Sequence, residues 1–163
     1  MVIPPIVLVV PLFQLVLDIH LANTYEAAIL IYAGMMLPFS TFLLASYFQT
    51  IPRSLLESAR IDGASHLRIL GLVVLPLSAP VIVTNILVQS LWVWNELLIA
   101  IVFLQSDRLR TLMVGVTVYQ SRYRADIPLT MAGMLTATLP MVGLYLFGQR
   151  FFIRGLTAGA VKG

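Results

Sequence analysis

With 163 residues, 60% of them hydrophobic and only 10% charged, the chain lies far from the soluble mix of roughly 45–50% apolar and 25% charged residues, so lipid must solvate most of it. It has no cysteine, which excludes disulfides, thiolate metal sites, iron–sulfur clusters and a cysteine nucleophile. The formal charge of +3 does not point to nucleic acid, because the ten basic residues are scattered rather than gathered with aromatics on one face.

Four apolar blocks follow one another: 2–17, 27–48, a long one at 69–104, and 129–147. The first lacks the basic n-region and small-residue cleavage site of a leader and carries Pro4, Pro5 and Pro11, so it reads as a true span. Crossing about 30 Å of hydrocarbon takes roughly 20 residues, and unpaired backbone amides cost several kcal/mol there, so each block is expected to be helical. The expected fold class is all-α, a polytopic transmembrane helix bundle with about four spans. Residues 1–163 read as a single transmembrane domain, with no repeat and no Gly/Ser linker to suggest a second.

Four crossings put the N-terminus, the 50–68 connection and the C-terminal tail on one side, and residues 18–26 and 105–127 on the other. Six basic residues then stand on the first side and four on the second, which favours a cytoplasmic 50–68 loop only modestly.

That loop carries the strongest local signals. Pro52 suits a first helical position, where the missing amide hydrogen would be unbonded anyway, and Gly63 suits the left-handed residue that ends a helix about three turns later. Leu55, Leu56, Ala59 and Ile61 give the helix an apolar side, and Arg53, Glu57 and Arg60 a charged one. Periodicity leaves two readings open. One is an interfacial helix resting on headgroups; the other is a helix held between the bundle and a wet partner.

Glu57-Ser58-Ala59, three residues, Gly63, nine residues, then Val73-Val74-Leu75-Pro76 resembles the cytoplasmic loop signature of ABC importer permeases. Ser58 stands for the usual central alanine and Val73 for isoleucine. The Asp62-Gly63-Ala64 run, the Pro76-Leu77 to Pro80 pattern, Trp94-Asn95-Glu96 and the ending Gly155–Gly163 are similar to the carbohydrate-uptake branch of that family. The resemblance implies a six-span fold of which this chain is the C-terminal part, beginning at what resembles the third span.

It also implies roles. The short cytoplasmic helix would be a coupling helix that fits a cleft on an ABC ATPase dimer, so that closure on ATP tilts the spans. Glu57, Ser58, Ala59, Asp62, Gly63, Leu75 and Pro76 would be its coupling residues. Glu57 would contact a basic group or amide, with a solvated charge as the alternative, and Ala59 would allow close approach. The further partners implied are a second permease subunit, an extracytoplasmic solute-binding protein and the lipid bilayer of a bacterial or archaeal plasma (inner) membrane.

Within the third block Asn85, Gln89, Ser90, Asn95 and Glu96 are costly to expose to lipid. They read as residues of a translocation path or as interhelical glue, with capping or loop contact as a further reading of Asn95 and Glu96. Trp92, Trp94, Tyr119 and Tyr123 read as interfacial anchors. His20 and His66 stand apart with no metal-ligand spacing. Arg122-Tyr123-Arg124 reads as a solvated loop or as a contact for a solute-binding protein.

The sequence holds no G-x-x-x-x-G-K-[ST] phosphate loop, its one lysine is Lys162 in the tail, and G-x-S-x-G and H-E-x-x-H patterns are absent. The expectation is a transporter subunit, not an enzyme, binding no cofactor itself and relying on ATP used by a partner. The expected function is ATP-driven sugar import; the alternative is a non-transporting membrane scaffold or interfacial anchor.

Overall fold

A computed structural model describes residues 4–122 and 127–160, with side chains at 4–117 and 127–149. All regular structure among the described residues is helical. The chain divides into two compact units, residues 1–38 with 90–144 and residues 39–89 with 145–163. Tyr119, the Arg122-Tyr123-Arg124 group, Lys162 and the end of the C-terminal motif therefore lie, in side chain or altogether, outside what is described.

In the first unit, helix α1 (Pro5–Asp18) begins with Pro5, where an absent amide hydrogen costs nothing. It ends when His20 takes a left-handed φ of 59°, while His20 N–H bonds Leu17 O and Leu21 N–H bonds Val16 O. That pair of bonds satisfies carbonyls the helix end would otherwise orphan. Helix α2 (Tyr25–Phe48) starts at a side-chain cap: Thr24 Oγ1 donates to Leu21 O at 2.8 Å and accepts Ala27 N–H at 3.3 Å. Between them Asn23, also left-handed, accepts the Gln105 and Ser106 amides on one side-chain oxygen, both at 3.0 Å.

The core of this unit joins Val16 of α1 and Ala27, Ala28, Ile31 and Tyr32 of α2 to Ile99, Phe103 and Leu104. Ile99 and Phe103 belong to the short helix α7 (Leu98–Phe103). Phe13 packs edge-on to Phe103, with ring centroids 5.8 Å apart. Helix α8 (Leu112–Arg122) follows, and helix α9 (Ile127–Ala160) contributes its first half.

In the second unit the loop helix α3 (Arg53–Ile61) is followed by α4 (His66–Ile69), a π-turn at Leu70–Val74, α5 (Leu75–Leu77) and then α6 (Ala79–Asn95). The π-turn has a local cause. Leu75 N–H reaches back five residues to Leu70 O, and the next donor in that register would be Pro76, which has none. Pro80 removes another donor four residues on. At Ser78, between the two prolines, the helical runs His66–Leu77 and Ala79–Asn95 meet at 70°.

The block expected as one span at 69–104 is thus divided at the prolines and again at Glu96-Leu97, where α6 gives way to α7. By length and composition α2 and Ile127–Gln149 can each cross a membrane, the bent pair makes a third crossing if its two arms form one span rather than a re-entrant loop, and α1 is shorter, at 14 residues or about 21 Å.

Candidate functional site

Helix α3 begins one residue later than the sequence suggests: Pro52 is its N-cap, with φ −59° and ψ 128°, and Leu55 N–H bonds Pro52 O. Its end follows the expectation closely. Gly63 has φ +76°, its amide bonds Arg60 O at 3.0 Å, and Ala64 N–H bonds Ala59 O at 3.0 Å. The two bonds close the last turn, and the positive φ explains why glycine stands there.

Leu56 and Ala59 are half-buried, whereas Arg53, Leu55, Glu57, Ser58, Arg60 and Asp62 are exposed. Ile61 is 86% exposed and Leu67, four residues beyond Gly63, 81%. The helix therefore offers solvent its charged residues together with the apolar Leu55 and Ile61, and Leu67 just beyond it adds a further exposed apolar side chain. Ser58 Oγ donates to Ser54 O within the helix. Leu75 and Pro76 stand apart from α3, in the exposed turn before the 70° bend.

The polar residues of the spans fall into two groups. In the second unit Ser40 of α2 faces α6: its hydroxyl accepts Asn85 Nδ2 and Gln89 Nε2, both at 3.1 Å, and donates to Asn85 Oδ1 at 3.3 Å. Also there, Tyr47 donates to Leu77 O at 2.9 Å beside the bend, while Ser78 Oγ, fully buried, has no partner among the described residues.

In the first unit Glu96 sits between α6 and α7. Its carboxylate accepts the amides of Ile99, at 3.0 and 3.1 Å, and of Ala100 at 3.3 Å, together with the Tyr32 hydroxyl at 2.8 Å. A carboxylate at a helix N-terminus satisfies donors that have no intrahelical partner. Asn95 donates back to Leu91 O at 2.7 Å. Trp94 Nε1 donates to Ala137 O of α9 at 3.1 Å, and Trp92 stacks edge-on against Tyr32 at 6.2 Å.

The sequence reading did not single out Ser40, Tyr32 or Gln14. Tyr32 and Gln14 are isolated polar groups in long apolar runs, and Ser40 with Thr41 is an isolated polar pair; that isolation was the available signal. Gln14, in α1, is exposed and borders a cavity of about 650 Å³ between α1, α7 and the start of α8. A second cavity, of about 480 Å³, lies between α1 and α2 and is lined wholly by apolar side chains and Gly34. Among the described residues no group of His, Asp and Glu could hold a metal ion.

An all-helical membrane chain with an amphipathic loop helix closed by Gly63 defines the class of multi-span membrane components. The chain belongs to the family described as "Binding-protein-dependent transport system inner membrane component", which matches residues 1–153. It is 40% identical over 164 residues to the melibiose/raffinose/stachyose import permease protein MelC of Bacillus subtilis, covering all of this chain and 59% of that relative. It is 38% identical over 162 residues to the trehalose/maltose transport system permease protein MalG of Thermococcus litoralis, covering 98% of this chain and 58% of the relative. To the arabinooligosaccharides transport system permease protein AraQ of Halalkalibacterium halodurans it is 37% identical over 161 residues, 99% and 57% of the two chains. The chain thus spans somewhat under three-fifths of the length of these relatives.

Proposed function

We propose that the chain is part of the permease subunit of an ATP-driven importer for sugars in a bacterial or archaeal inner membrane, and that the 50–68 loop couples ATP use to transport. Family membership and the sugar names carried by three relatives support the substrate class. The observation that carries the coupling role is helix α3 itself: nine residues closed by Gly63, leaving Glu57 and Ile61 outward.

A helix that transmits motion must be held to the bundle and offered to a partner at once. Leu56 and Ala59, the half-buried residues of α3, would give the inner hold. Glu57, with Ser58 and Asp62 beside it, offers anionic and hydroxyl groups, and Ile61 offers an apolar contact. Leu75 and Pro76 stand just before the bend of the helical pair through which tilt of the loop would pass. The partners in this reading are a cytoplasmic ATPase dimer that binds and spends the ATP, a second permease subunit and an extracytoplasmic solute-binding protein. Asn85, Gln89, Asn95 and Glu96 would frame the route, their own hydrogen bonds fixing the helices around it.

The test is co-purification of the permease, expressed in its native host as its genome encodes it. A nucleotide-binding subunit is expected with the unaltered protein and is expected to be lost on Glu57→Lys. If no such subunit comes down with the unaltered protein, or if a thiol placed at residue 57 is labelled only from outside the cell, the coupling reading fails.

A further inference from the structure

Gln14 is the one amide side chain of α1, set among Val9, Val10, Leu12, Phe13 and Leu15. Its amide finds no hydrogen-bond partner among the described residues, and it is exposed. Leaving an amide unpaired among apolar groups costs between about 1 and 8 kcal/mol depending on the reference solvent, so Gln14 marks a point of contact with water, solute or another polar group. Ser78 Oγ, unpaired too, is fully buried away from any solute, and four polar residues between 85 and 96 already have such contacts: Asn85 and Gln89 hold Ser40, Asn95 bonds its own helix, and Glu96 caps α7. Gln14 does not.

The cavity beside Gln14 has a consistent chemistry. Phe13 and Val102 give it an apolar wall, and Gln105 and Arg110 a polar end. Arg110 is already paired with Asp107 and donates to Gln105 O, so the cavity presents hydrogen-bonding groups without a net charge to attract an ion. At about 650 Å³ it falls in the size range of small-molecule sites.

We propose that Gln14 contacts solute on the wall of the translocation route, and that this cavity accepts an uncharged, hydroxyl-rich solute of the sugar class. An amide offers two donors and an acceptor oxygen, matching hydroxyls that both give and take hydrogen bonds. The proposal rests on the importer reading above, but its test reads the water-filled wall directly and does not depend on ATPase attachment.

Because these residues include no cysteine, single thiols can be placed along α1 without background from this segment. Gln14→Cys and Val10→Cys lie one turn apart on the same cavity; Leu15→Cys and Leu8→Cys line the apolar cavity instead. All four are made in the permease as encoded, assembled with its transport partners, and exposed to a membrane-impermeant cationic methanethiosulfonate. The reagent needs thiolate, and apolar surroundings raise a thiol's pKa, slowing reaction about tenfold for each unit. Positions 10 and 14 are expected to react faster than 8 and 15 by about that factor or more. If Gln14→Cys reacts as slowly as Leu15→Cys while a membrane-permeant maleimide labels both, residue 14 faces lipid or another chain and the proposal is overturned. Should Gln14→Cys not assemble, equal slowness of Val10→Cys and Leu8→Cys overturns it equally. Labelling that follows the proposed pattern in a permease that retains no ATPase would sink the coupling reading and leave this wall intact.

Discussion

The Tyr32 hydroxyl and the Glu96 carboxylate meet at 2.8 Å, and through that bond α2 is tied to the N-terminus of α7. Glu96 also accepts the Ile99 and Ala100 amides, so one side chain serves both as helix cap and as interhelical contact. Removing a cap costs about 1 kcal/mol, and orphaning the hydroxyl of the buried Tyr32 adds about 1–3 kcal/mol. Glu96→Ala is therefore expected to destabilise by about 2–4 kcal/mol, Tyr32→Phe by about 1 kcal/mol, and the double variant by less than the sum. Thermal unfolding of detergent-purified variants measures the cycle; strict additivity would show that the bond carries no coupling.

Ser40 serves three hydrogen bonds to α6 with a single hydroxyl. Interhelical hydrogen bonds in membranes average about 0.6 kcal/mol, with a maximum near 1.7 kcal/mol, because the separated helices find other partners. Ser40→Ala leaves Asn85 without its partner here and is expected to cost about 1–2 kcal/mol. Ser40→Thr keeps the hydroxyl and should cost less. Unfolding in a denaturing detergent series ranks them, and an Ala variant as stable as the original would remove Ser40 from the frame.

Much of this arrangement was legible in the residues. Apolar block length predicted helices, and Pro52 and Gly63 predicted both ends of α3 to within a residue, because proline and glycine act through local backbone geometry. The division of the 69–104 block was not foreseen, although Pro76 and Pro80 were in view; whether a proline kinks or breaks a helix depends on the donors around it, here a π-turn and a bend at Ser78. Polar residues showed where hydrogen bonds would be needed but not with whom. Asn85 and Gln89 find Ser40 only because α2 and α6 pack together, a relation that no local pattern contains.

Gly148 of α9 lies against Leu87 of α6 so closely that a β-carbon there would strike the two terminal methyls of Leu87. Small residues at such crossings let helices approach. The obstacle is the flexible end of a side chain, so Gly148→Ala is expected to cost about 1–2 kcal/mol and Gly148→Leu more. Leu87→Ala should relieve part of the Gly148→Ala cost, which a double-variant cycle in thermal stability will read. No relief would mean that the helices separate rather than the leucine moving.

Gly63 presents the opposite case. Nothing lies within 4 Å of where its β-carbon would stand, so any penalty for substitution comes from the positive φ of +76° alone. Left-handed backbone costs an ordinary L-residue about 1–2 kcal/mol, and asparagine less, because its short side chain tolerates that region. β-Branched valine suits it worst. In the coupling reading, a strained turn would redirect Ala64 and the chain beyond it, detaching loop motion from the bent helical pair. Solute-stimulated ATPase activity in reconstituted transporter is expected to fall from the unaltered protein through Gly63→Asn and Gly63→Ala to Gly63→Val, with membrane insertion unchanged throughout. If the Gly63→Val variant is stimulated as fully as the unaltered protein, the turn does not transmit the motion, and the coupling role of this loop must be given up.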